Sequence, residues 1–184
     1  MDMRDVDGIQ KAIEAVSSRH PVIDALVNNA GISQAMPLAM LEEEDVDLAM
    51  DVNIKGTLFV TRAVIRGMIR ARHGSIVNLG SIAGHRVLDV PVTYAMTKAA
   101  IAGMTTSLAA ELKRFSIRVN NVVPGMLDGG VAQGIPDEHR RDFLKHCAAG
   151  RPGKASEIAD LVCFLCSDRS SYINAQHIAI DGGI

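Results

Sequence analysis

The sequence has no tryptophan, and only 3% of its residues are aromatic, so its core must be built from aliphatic side chains. It has no apolar run approaching the roughly 20 residues of a membrane span, which excludes a spanning helix and leaves no membrane partner to expect. Neither sign of charge dominates. Nineteen Lys and Arg against 21 Asp and Glu give a formal charge of −2, so nucleic acid is not an expected partner. Cysteine is scarce and odd in number (Cys147, Cys163 and Cys166), which argues against a disulfide framework. Cys163-x-x-Cys166 lacks a second cysteine pair and lies in an apolar helical run, so both thiols are expected in the core. The six histidines show no metal-ligand spacing, and no metal is expected. Only His85, four residues after Ser81, is placed to line a substrate mouth. The start, Met1-Asp2-Met3-Arg4-Asp5, is acidic and polar and reads as no secretory signal, so a cytoplasmic location is expected.

What is present is the composition of an ordinary globular protein: 184 residues, 48% hydrophobic and 22% charged, one domain's worth. Val6, Ile9, Ala12, Ile13 and Val16 are spaced for an amphipathic helix over Asp5–Arg19, ended by Pro21. Ile23–Val27 reads as a short strand delivering Asn28-Asn29-Ala30-Gly31. Glu42–Arg72 reads as one long helix, acidic at its start and basic at its end as the helix dipole favours, with a kink at Asn53 and Gly56. An inward-facing Asn53 at that kink could hold a water. Gly74–Leu79, Ile117–Val123 and His177–Ile180 read as strands, and Thr93–Phe115 and Glu157–Cys166 as helices, the latter capped by Ser156. Pro124-Gly125 opens a glycine-rich loop, and Pro136–Cys147 reads as a short lid helix. Alternating strands and helices predict an α/β fold, a parallel sheet of βαβ units.

The chemistry concentrates in Tyr94-Ala95-Met96-Thr97-Lys98, with Ser81 thirteen residues before the tyrosine. On a helix, positions i and i+4 share a face, so the phenol and the ammonium become neighbours. A phenol with pKa near 10 is a poor proton shuttle at neutral pH. A charge about 4 Å away at an effective dielectric of about 20 supplies roughly 4 kcal/mol, or about 3 pKa units. Tyr94 is therefore expected to titrate near neutrality, where general acid–base catalysis is efficient. Ser81 follows an apolar strand, and so stands where open α/β sheets bind ligands.

Asn28-Asn29-Ala30-Gly31, Asn53, Ser81, Tyr94/Lys98 and Pro124-Gly125 follow in an order that resembles the short-chain dehydrogenase/reductase family along essentially all of the chain. The resemblance implies a Rossmann-like doubly wound parallel sheet and reduction of a ketone with NADP or NAD. In that family Tyr94 would protonate the carbonyl oxygen and Lys98 would lower its pKa and hold the nicotinamide ribose. Ser81 would bond the substrate carbonyl, and Asn53 would carry a water that relays protons to Lys98. Asp2 would meet the adenine, Asn29 and Gly31 the adenosine side, and Leu127 the cofactor through its backbone. Gly129 stands where the family often has a threonine against the nicotinamide carboxamide.

Members of that family also carry a glycine-rich turn between their first strand and first helix, where backbone amides meet the pyrophosphate. No G-x-G-x-x-G opens a helix here, and Met1–Asp5 is similar to the segment that closes the family's third strand. The expectation is a single incomplete domain over residues 1–184, lacking the first strands of the nucleotide-binding half. The strand at Asp24–Val27 would then be an uncovered edge. Arg72-His73-Gly74-Ser75-Ile76 and the C-terminal Asp181-Gly182-Gly183 are similar to 3-oxoacyl-(acyl-carrier-protein) reductases, in which Arg72 would face the acidic carrier protein. The expected partners are a small ketone or alcohol, an acyl carrier protein, and a second copy docked through the helices Glu42–Arg72 and Thr93–Phe115. The alternative is a non-catalytic fragment that associates with full-length relatives.

Overall fold

In a computed structural model that describes residues 1–34 and 36–184, four parallel strands form one sheet. The strands are β1 (Ala25–Asn28), β2 (Gly74–Leu79), β3 (Ile117–Pro124) and β4 (His177–Ile180), in spatial order β1-β2-β3-β4. All neighbouring pairs run parallel, with Leu26 opposite Ile76, Ile76 opposite Val119 and Val122 opposite Ile178. Helices cover both faces. On one lie α1 (Val6–Ser17), α3 (Thr57–Ala71) and α4 (Val92–Leu112), and on the other α6 (Ala155–Cys166).

The pleat decides this layering, since successive side chains of a strand point to opposite faces. Ile76 of β2 packs with Val64, Met68, Ala109 and Leu112, whereas Val77 packs with Ile158 and Leu165. Every residue of β2 is buried, as expected of a strand covered on both sides. Among the described residues, no aromatic side chain belongs to the buried apolar core, although Phe115 and Phe164 pack against it. Strands β2 and β4 match their expected bounds, and β1 is shifted by one to two residues toward Asn28.

Three local expectations are corrected. The Glu42–Arg72 helix is two helices, α2 (Glu43–Met50) and α3, joined by the π-helical turn Asp51–Gly56. The expected kink is therefore a widened turn, a feature that recurs at functional sites. The cap of α6 is Lys154 rather than Ser156, with the Glu157 carboxylate accepting from the Lys154 backbone N–H at 2.7 Å. Cys163 is exposed and Cys166 half-buried, because the α6 stripe of Ile158 and Leu165 turns Cys163 outward; Cys147 is the buried thiol. Arg72, expected to face a carrier protein, is exposed and donates to the Arg114 carbonyl at 2.9 Å, which closes the end of α3 against the end of α4.

No helix among the described residues is long and apolar enough to cross a membrane. The outer edge of β1 carries no further strand among the described residues, and Val27 on it is 41% exposed.

Candidate active site

The C-terminal ends of β1, β2 and β3 open toward one side of the sheet, and the sequence places its polar residues there. Ser81 caps the short turn Ile82–Gly84 immediately after β2, its hydroxyl accepting from the Ala83 N–H at 3.1 Å. That turn lies hard against α4. A Cβ built on Gly84 would sit 2.8 Å from the Ala99 backbone nitrogen, so only glycine permits the approach. The contact sets Ser81 opposite the first two turns of α4, which carry Tyr94 and Lys98.

Ser81 and Tyr94 line a cavity of about 850 Å3. Its inner wall is apolar, with Ile82, Leu88, Val90, Met126, Ile135 and Phe143. Its rim is the charged face of α5 (Asp137–His146), carrying Glu138, His139, Arg141, Asp142 and Lys145. His139 Nδ1 lies 3.7 Å from Asp89 Oδ2, which ties the rim to the segment after Ser81. The expected lid helix thus lies along the cavity. His85 does not line it. Its ring stands 6.1 Å from that of His177, on the neighbouring strand β4.

Lys98 is 7% exposed, with Nζ donating to the Leu79 carbonyl at 2.7 Å and standing 5.7 Å from the centre of the Tyr94 ring. The pairing on one helical face is as expected, but the electrostatics are not. Burial pushes the Tyr94 phenol up from its ordinary value, and a hydrogen bond with Ser81 only opposes the rise. Burial also brings Lys98 down to about 8. The expectation that the ammonium draws the phenol toward neutrality is therefore corrected. Both groups lose water, and the ammonium is directed at the Leu79 carbonyl rather than at the phenolic oxygen.

Asn53 sits in the π-helical turn, 2% exposed, and its side-chain amide makes three hydrogen bonds to protein. Its Oδ1 accepts from the Ile32 N–H at 2.8 Å, and its Nδ2 donates to the Ile32 carbonyl at 2.9 Å and to Thr97 Oγ1 at 3.0 Å. These bonds use both amide protons and one lone pair of Oδ1, and they bracket the loop after β1 against α4. Gly31 allows the bracket to close: a Cβ there would stand 3.3 Å from Asn53 Oδ1 and 3.6 Å from Lys98 Nζ.

Sequence reasoning missed the buried polar lattice behind these residues. Asn28 Nδ2 donates to Thr61 Oγ1 and Asn78 Oδ1, Asn78 Nδ2 donates to Thr105 Oγ1, and Thr57 Oγ1 donates to the Asn53 carbonyl. Polar residues in apolar strands, such as Asn78 inside Ile-Val-Asn-Leu, were the available signal, because such groups are buried only with partners.

The residues expected to hold a nicotinamide nucleotide divide into two groups. Tyr94, Lys98, Gly31 and Asn53 lie together at the strand ends, and Met126, next to half-buried Leu127, lines the cavity. That half fits a ribose and nicotinamide: Lys98 is a buried donor, and Gly31 leaves space beside it. Asn29 is exposed just beyond β1 and does not line the cavity. Asp2 is exposed and held bidentately by Arg4, which lowers its carboxyl to about 2. For the pyrophosphate, no G-x-G-x-x-G turn opens a helix among the described residues, and the amide of Gly8 at the start of α1 is already taken by the Asp5 carboxylate.

Comparison with known proteins extends over the whole chain. A family model described as enoyl-(acyl carrier protein) reductase matches residues 1–184. The 3-oxoacyl-(acyl-carrier-protein) reductase FabG of Thermotoga maritima is 41% identical over 184 residues, which are 100% of this chain and 75% of that protein. Among solved structures, a gluconate 5-dehydrogenase from Burkholderia cenocepacia in complex with NADP and tartrate superposes with a TM-score of 0.94 at 32% identity, covering 99% of this chain and 72% of that one. A 3-oxoacyl-(acyl-carrier protein) reductase with bound NAD from Brucella melitensis superposes with a TM-score of 0.89 at 36% identity, covering 100% of this chain and 69% of that one.

Proposed function

Because the chain belongs to the short-chain dehydrogenase/reductase family, oxidoreductases that interconvert C=O and CH–OH with NADP or NAD, we propose that it reduces a 3-oxoacyl thioester or similar ketone to the secondary alcohol. The observation that carries this reading is the convergence of the Ser81 and Tyr94 hydroxyls on one cavity, with the Lys98 ammonium buried behind them. An acyl carrier protein would present the thioester, as the names of two of the similar proteins suggest.

The carbonyl oxygen accepts from both hydroxyls, and Tyr94 hands over its proton as that oxygen becomes an alkoxide. A phenol held above its ordinary pKa is fully protonated at neutral pH, the state a proton donor needs. Lys98, at about 8, is mostly cationic there. Its charge then acts on the phenolate that proton transfer leaves, an interaction that grows toward the transition state rather than one spent on the resting phenol. Asn53 and Gly31 hold the ribose side of the site against α4. When bound, a reduced nicotinamide nucleotide supplies the hydride equivalent to the carbonyl carbon.

The test is product formation. The chain, alone and fused to a glycine-rich nucleotide-binding segment, is incubated with NADPH or NADH and a panel of 3-oxoacyl thioesters, sugar ketones and steroid ketones. One alcohol per nucleotide consumed is expected from at least one ketone. No alcohol from any of them, in the fused as well as the unfused chain, overturns the reading.

A second reading rests on a separate observation, the groove between α3 and α4 lined by Leu58, Phe59, Ile65 and Leu108, where Leu58 is 44% exposed. This surface suits a second copy or a full-length relative, and the chain would then serve as an associating subunit. Co-purification with such a relative, whose activity is indifferent to Tyr94→Phe in this chain, would favour it.

A further inference from the structure

We propose that Thr97 is a positioning residue of the ketone-reducing site, and that its hydroxyl, not its shape, fixes Asn53 and the first turn of α4 in one arrangement. Thr97 is wholly buried, with no exposed surface. Its Oγ1 accepts from Asn53 Nδ2 at 3.0 Å and donates to the Tyr94 carbonyl at 3.0 Å. One hydroxyl thus serves as acceptor toward the π-helical turn and donor toward the catalytic turn. A hydroxyl has both capacities, and an alkyl group has neither. The other side of Asn53 grips both backbone groups of Ile32. Thr97 therefore connects the turns carrying Tyr94 and Lys98 to the loop after β1 through Asn53. Removing the hydroxyl would leave one proton of the Asn53 amide unpaired where no bulk water reaches it.

This inference rests on the functional reading only for its purpose, so it is tested without substrate. Thr97→Ser keeps the hydroxyl, Thr97→Ala opens space for a water that can replace it, and Thr97→Val keeps the volume and excludes both. The readouts are the exchange rate of the Ile32 amide hydrogen by NMR, and the phenol titration of Tyr94 in a Tyr172→Phe background, where Tyr94 is the only tyrosine. If connectivity governs, exchange at Ile32 stays near the unsubstituted rate in the serine variant. It rises in the alanine variant and rises most in the valine variant, by about tenfold or more. The Tyr94 titration shifts in the same order as its turn loosens and takes up water.

If packing governs, the order inverts: valine matches threonine, and serine and alanine exchange faster. That result, or equal rates in all variants, overturns the proposal. Should the valine variant not fold, serine against alanine decides alone. A chain that reduces no ketone yet shows the first order keeps this inference while losing the functional reading.

Discussion

Tyr94 and Lys98 are both displaced by burial, in opposite directions, and each displacement can be measured. Lys98 lies at about 8 in the folded chain against an ordinary 10.5. Between those values the unfolded chain binds the extra proton, so stability rises as pH rises. At about 1.4 kcal/mol per unit, the gain is on the order of 3 kcal/mol. We expect denaturant unfolding of the unsubstituted chain to show this gain between pH 8 and 10.5, and Lys98→Met to abolish most of it. The phenol has the complementary sign: raised in the fold, its contribution is complete below pH 10 and fades as pH climbs through the folded value. An absorbance titration of Tyr172→Phe should show one phenolate step, later than that of a free tyrosine. Reductase turnover should also fall above about pH 8, as the ammonium that stabilises the phenolate is lost. The i, i+4 spacing made this pair legible in the sequence. The direction of the phenol shift was not, because a spacing shows proximity but not how much water each group loses.

The elements owe their mutual placement to a few contacts that allow no substitution. Gly84 lets the turn bearing Ser81 reach α4, and Gly84→Ala would press a methyl to 2.8 Å from the Ala99 backbone nitrogen. We expect a cost of about 1–3 kcal/mol in stability. Activity should fall further than the stability loss alone explains, since Ser81 moves away from Tyr94. Gly129 is the converse: no atom lies within 4 Å of a Cβ there, and its backbone is extended, so Gly129→Thr should leave the melting temperature unchanged. If the family's threonine serves the nicotinamide carboxamide, that substitution should tighten nucleotide binding, measurable by quenching or enhancement of NADPH fluorescence.

Strands β2 and β4 were readable because each is a short run bounded by turn residues. The break between α2 and α3 was visible only as weak helix formers at Asn53 and Gly56. A π-helical turn is stabilised by its tertiary partners, here Ile32 and Thr97, and these lie 21 and 44 residues away in sequence. Cys163 was misread for a similar reason. The last six residues of α6, Leu161–Cys166, are all apolar, and such a run does not say which stripe faces the sheet.

At the scale of the molecule, a sheet of four parallel strands is closed on both faces by helices and, among the described residues, open along β1. Parallel strands are ordinarily buried, and an exposed apolar edge is a template for pairing with another chain. With Val27 41% exposed, self-association that grows with protein concentration is expected in light scattering, and Val27→Lys should reduce it. Monodisperse behaviour of the unsubstituted chain at high concentration would contradict this. The uncovered edge and the α/β class were both foreseen in the sequence. The lattice of Asn28, Asn78, Thr61 and Thr105 that ties the strand ends to α3 and α4 was not, since each member is an ordinary polar residue until the fold brings them together.

The claim on which the rest depends is that Tyr94 supplies the proton, and pre-steady-state reduction of the best ketone by bound NADPH tests it directly. The account predicts that Tyr94→Phe, which keeps the ring and removes the hydroxyl, slows the chemical step on the order of 10²- to 10⁴-fold with little change in ketone binding. A Tyr94→Phe chain that reduces the ketone as fast as the unsubstituted one would contradict it.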